Sequence, residues 1–82
     1  MRLDKWLKVS RLIKRRTVAK EVCDAGRISV NGRPAKAGTD VSPGDILLIN
    51  FGNKNVKAKI LLVADNMRVE LCSTMYEILS EE

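Results

Sequence analysis

Arg11, Lys14, Arg15, Arg16 and Lys20 place five cations within ten residues, and the chemistry open to such a cluster is the neutralisation of packed anions. A guanidinium forks onto two phosphate oxygens, whereas a lysine ammonium acts as a point charge. Arg16 and Lys20 are four residues apart, so on a helix they project from the same side. From Met1 to Lys36 there are eleven Lys or Arg against three acids, and from Ala37 to Glu82 four against seven. The net charge of +5 is therefore segregated, +8 in the first part and −3 in the second. A solvated basic face has the same composition, but the segregation favours a polyanion partner, because clustered cations release counterions condensed around phosphates.

Other chemistry is poorly supplied. The chain has no histidine and two cysteines, Cys23 and Cys72, so the common nucleophile–base pairs have no members. No glycine-rich loop leads into a Lys-Ser/Thr pair, and Asp40 and Asp45 read as turn formers rather than a carboxylate couple. A structural zinc site takes four Cys or His ligands, and two are present. We expect a non-catalytic protein with no metal and no cofactor, its cysteines buried as thiols rather than joined. Trp6, Phe51 and Tyr76 are the only aromatics, with Trp6 assigned to the core, so a stacking platform for single strands is not expected. That favours a folded RNA read by shape and backbone.

These cations need elements to hold them. Leu3, Trp6 and Leu7 are spaced for one face of a first short helix, with Arg2, Lys5 and Lys8 outside the stripe. Thr17 reads as the N-cap of a second helix with Val18, Ala19, Val22 and Cys23 on its apolar face, and Gly26 as the residue that stops it. Arg16, just ahead of that cap, is expected to share a phosphate with the helix N-terminal amides. Ile28 and Val30 then alternate with Ser29, Asn31-Gly32 is a hairpin signal, and Pro34 suits an edge strand. Ser42-Pro43-Gly44-Asp45 reads as a tight turn into a strand from Ile46 to Phe51, and a second strand returns from Val56 to Val63. For the tail, Val69, Cys72, Tyr76 and Leu79 fit a helical stripe capped by Asp65 or Asn66, with a short extended segment from Met75 to Leu79 as the alternative. The sum is a single α+β domain: two short N-terminal helices packed on a small, mainly antiparallel sheet, with a short C-terminal element. The longest apolar run, Ile60 to Ala64, is far short of the roughly 20 residues of a membrane span, and no secretory signal is apparent. A cytoplasmic location is expected.

The stretch Arg2-Leu3-Asp4-Lys5-Trp6-Leu7, followed by Ser10-Arg11, Arg15-Arg16-Thr17, Ala19-Lys20, Gly26-Arg27-Ile28, Val30-Asn31-Gly32 and Val41-x-Pro43-Gly44-Asp45, resembles the RNA-binding domain of the ribosomal protein S-four superfamily, the alpha-L motif. The resemblance covers Met1 to about Ile49. It divides the chain into an alpha-L motif over 1–50 and a β-hairpin with a C-terminal extension of the same domain over 51–82. It implies RNA-facing roles for Arg2, Lys5, Arg11, Lys14, Arg15, Arg16, Thr17, Lys20 and Asn31. Among the superfamily's branches the chain is similar to the stand-alone RqcP type, and more distantly to the fifteen-kilodalton ribosome-associated heat-shock type, whose long basic tail is missing here. The RqcP resemblance implies a quality-control factor on large ribosomal subunits obstructed by peptidyl-tRNA. It would touch ribosomal RNA and that tRNA, and support polyalanine tailing alongside an RqcH-type factor, with no membrane partner. The alternatives are a heat-shock-type subunit recycler and a regulatory protein-interaction or DNA-binding module. Against a groove reader, the second helix offers no base-reading Asn, Gln or Arg beyond its first turn.

Overall fold

The computed structural model describes residues 1–82. Helix α1 runs Leu3–Val9 and α2 Arg16–Asp24; strands β1 (Ile28–Val30), β2 (Arg33–Pro34), β3 (Ile46–Asn50), β4 (Asn55–Ile60) and β5 (Tyr76–Glu81) follow, with a 3-10 helix at Val69–Met75 before β5. The five strands form one antiparallel sheet in the order β2-β1-β3-β4-β5. Three helical segments with this sheet make the α+β architecture that the sequence predicts. No helix is long and apolar enough to cross a membrane.

Helix α1 exists because its apolar stripe is buried and its first donors are met by another part of the chain. Leu3, Trp6 and Leu7 are fully inaccessible. The amides of Leu3 and Asp4, orphans at a helix start, donate to the carbonyls of Thr39 (2.8 Å) and Ala37 (3.1 Å). The loop over residues 37–41 therefore does the work of a cap. At the other end Ser10 closes the helix, and Arg11 follows with φ 64°, a left-handed conformation usually left to glycine.

Helix α2 begins one residue before the expected Thr17 cap. Arg15 is the extended N-cap, with no side-chain hydrogen bond, and Thr17 lies exposed within the first turn. Its N-terminus is instead aligned by Arg16, which reaches back to Asp4. The stop is as read: Gly26 has φ 76°, its amide donates to the Cys23 carbonyl and that of Arg27 to Val22, the paired bonds of a Schellman ending.

The local turns also follow the sequence. Asn31 and Gly32 both take positive φ, as a two-residue hairpin needs, and Pro34 lies on the edge strand β2. The Asp45 amide donates to the Ser42 carbonyl across a turn in which Gly44 has φ 96°. Leu47 and Ile49 on β3, and Val56, Ala58 and Ile60 on β4, face the helices and are buried, while the intervening residues face out.

Two expectations fail beyond Ile60. Strand β4 stops there instead of at Val63: the amides of Leu61 and Leu62 both turn to the Met75 carbonyl, and the Leu62 carbonyl accepts the Trp6 indole N–H at 2.9 Å. The helical stripe expected over the tail survives only as the 3-10 helix, which starts after Arg68 and not at Asp65 or Asn66. Tyr76–Glu81 is a strand, the extended alternative, because β4 offers an unpaired edge that a helix there would leave open. It pairs with a bulge that leaves Leu79 without a partner between Ile78, opposite Ala58, and Ser80, opposite Lys57.

Candidate nucleic-acid interface

The basic side chains gather on the helical pair and on the segment that joins its two helices. Arg11, Lys14, Arg15, Thr17 and Lys20 are exposed, and none of the four cations among them forms an ion pair. Lys8, Arg11 and Lys14 line a hollow of about 110 Å³ together with Asp65, Asn66 and Met67. Lys8 is absent from the residues expected from sequence, although its position three before Arg11 on the same helix end would have found it. Arg11 reaches this hollow from a strained backbone, a state that persists where the surroundings or the function require it.

The remaining expected residues are partly engaged within the chain. Lys5 is half-buried and its ammonium meets Asp65 at 3.0 Å, across an exposed carboxylate. The Asn31 amide holds the hairpin tip to the start of β3: its nitrogen donates to Asp45 at 3.1 Å and its oxygen accepts the Ile46 amide at 2.9 Å. Asn31 is therefore a turn residue with both ends of its amide in use.

Arg2 and Arg16 converge on Asp4, to which the sequence reading gave no site role. The Asp4 side chain is 3% exposed, against 55% for Arg2 and 49% for Arg16. Arg2 Nε donates to Asp4 Oδ1 at 3.2 Å, Arg16 Nε to Oδ2 at 3.3 Å, and the Lys5 amide to Oδ1 at 2.8 Å. Burial by itself would raise this carboxyl's pKa, but the hydrogen bond and charge of Arg16, the Lys5 amide and the charge of Arg2 outweigh it and hold the group below its ordinary 3.8. Arg16 is thus a structural partner of a buried anion as well as a surface cation, and it is the first residue of α2 rather than the residue ahead of its cap.

Cys23 and Cys72 are buried free thiols. Burial, with the nearby charges of Asp4 and Asp24, pushes the Cys23 thiol up to about 11, so it is protonated at neutral pH. Cys72 Sγ lies 3.3 Å from the Val9 carbonyl, a packing contact between the 3-10 helix and the end of α1.

Residues 1–47, the helical pair with the hairpin and the start of β3, match the family model described as the S4 domain. The chain belongs to the S4 domain family. The whole S4 chain is 62% identical over 82 residues to the RQC P-site tRNA stabilizing factor of Halalkalibacterium halodurans, covering 93% of that protein. It is 58% identical over the same length to the factor of that name from Bacillus subtilis, covering 95% of it. Among solved structures, Heat Shock Protein 15 of Vibrio cholerae superposes on 98% of the S4 chain with a TM-score of 0.89 at 27% identity, the match taking in 82% of that protein. The likeness therefore extends past the S4 domain proper through β4, the 3-10 helix and β5.

Proposed function

We propose that this protein is a non-catalytic, cytoplasmic RNA-binding factor of ribosome-associated quality control. It binds large ribosomal subunits obstructed by peptidyl-tRNA and touches both ribosomal RNA and the tRNA. The observation that carries this reading is the end-to-end match to factors named for stabilising P-site tRNA, in a chain whose unpaired cations lie together on the helical pair. Its action is to lower the free energy of an occupied tRNA site by bridging two polyanions, which supports repeated polyalanine tailing by an RqcH-type factor on the same subunit. Arg2, Lys5, Lys8, Arg11, Lys14, Arg15, Arg16, Thr17 and Lys20 form the RNA-facing surface, and Asn31 keeps the adjoining hairpin in place.

Gradient sedimentation of tagged protein from cells with stalled translation tests this reading. The protein is expected in the large-subunit fraction together with peptidyl-tRNA, and polyalanine tails on stalled chains are expected to disappear when it is deleted. Sedimentation with free small subunits or at the top of the gradient removes the proposal. The heat-shock-type recycler has the structural likeness in its favour; normal tailing after deletion, with obstructed subunits accumulating, selects it instead.

A further inference from the structure

Asp4 is the only charged residue in the buried set, and it lies beneath the cations of a surface proposed to bind anions. For long-range attraction this placement is a disadvantage, since its negative charge offsets one of the two guanidinium charges beside it. Both its oxygens are occupied, by Arg2 Nε and the Lys5 amide on one and by Arg16 Nε and Arg2 Nη2 on the other. Arg2 precedes α1 and Arg16 begins α2, so one carboxylate ties together guanidiniums from two separate elements. Arg16 is gripped through Nε alone, and Arg2 keeps Nη1 unengaged, so each retains outward N–H donors on a half-exposed side chain. Two half-exposed arginines without an anchor would sample many rotamers and lose that freedom on each binding event.

We infer that Asp4 is a positioning residue: it holds Arg2 and Arg16 as a two-guanidinium fork for a single phosphodiester group. The inference rests on the RNA-binding reading above and adds to it a defined anion subsite with an internal organiser. It also gives the buried carboxylate a role in the geometry of recognition rather than in net attraction.

The sign of one substitution separates this from simple electrostatics. Asp4→Asn raises the net charge by one, so an unstructured cationic surface would bind RNA more tightly. A fork that has lost its anchor binds more weakly, by about tenfold for deacylated tRNA at moderate salt. The loss is expected to vanish when Asp4→Asn is placed in an Arg2→Gln/Arg16→Gln background, each variant being compared below its own melting temperature. Tighter or unchanged binding, or a loss that persists without the two arginines, overturns the inference. Should Asp4→Asn fail to fold, the Nε–H resonances of Arg2 and Arg16 in the unaltered protein decide. Both should be slow to exchange and both should shift when tRNA is added; rapid exchange or unmoved signals overturn the inference as well. If the unaltered protein binds neither tRNA nor large subunits, it is the functional reading itself that fails.

Discussion

Arg11 holds a φ of 64° at the end of α1, a conformation that costs a residue with a Cβ roughly 1–2 kcal/mol. Arg11→Gly relieves that strain and loses part of the gain to the greater freedom of glycine in the unfolded chain, for a net stabilisation of about 0.5–1 kcal/mol. A melting temperature higher by about 3–6 °C is expected, together with a salt dependence of tRNA binding shallower by about one unit. A raised melting temperature with an unchanged salt slope would detach Arg11 from phosphate contact. Cys23 carries a prediction of its own sign. Its thiol is raised to about 11 against 9.0, so its contribution to stability is complete below pH 9.0 and declines as pH rises toward 11. Native protein at pH 8 should resist iodoacetamide at Cys23, and Cys23→Ser should flatten the alkaline limb of a stability–pH curve. For Asp4 the sign is opposite: its stabilisation is present above 3.8 and is lost as pH falls through the depressed native value, so Asp4→Asn should flatten the acid limb.

At the scale of elements, faces and endings can be tested separately. Leu7 is fully buried in α1, so Leu7→Ala should cost about 2–5 kcal/mol through the cavity it leaves. Lys20 is exposed on α2 without an ion pair, so Lys20→Ala should leave the melting temperature within a degree or two while weakening tRNA binding. The reverse pattern would mean that the two helix faces are exchanged. Gly26→Ala should destabilise by about 1 kcal/mol, from the positive φ alone, since no atom lies within 4 Å of the added methyl. Elements defined by neighbours in sequence were legible: the Leu3/Trp6/Leu7 stripe, the Gly26 ending, the Asn31-Gly32 hairpin and the turn at Pro43-Gly44. Those set by distant partners were not. Helix α1 is capped by carbonyls of residues 37 and 39, β4 is cut short by an indole 56 residues away, and Tyr76–Glu81 is extended because a strand edge awaits it. The charged cluster was visible as composition, but the anchoring of Arg2 and Arg16 was not, because an acid in a basic stretch reads as subtraction until its burial is seen.

The molecule as a whole separates charge by sequence and joins it by structure. If about five phosphates are neutralised, affinity for tRNA should fall by about two to three decades between 50 and 200 mM salt, taking the B-DNA coefficient as guide. A flat response in an anisotropy titration would remove the polyanion reading. The single sheet spans both parts of the chain: β1, in the basic part, pairs with β3 in the acidic part, which pairs in turn with β4. The buried indole of Trp6, near the first residue, finds its acceptor at Leu62, and Ile60 and Met75 complete the core around the residues of α1. Synthesis runs from N- to C-terminus, so the helical pair leaves the ribosome before β4, the 3-10 helix and β5 have been made. A chain cut at residue 50 should therefore show an unfolded circular-dichroism spectrum and attract RNA only as a loose basic peptide. On the proposed reading the arginine fork takes shape only once β4 and β5 have joined the sheet, which ties specific binding to the emergence of the whole domain rather than of its basic part.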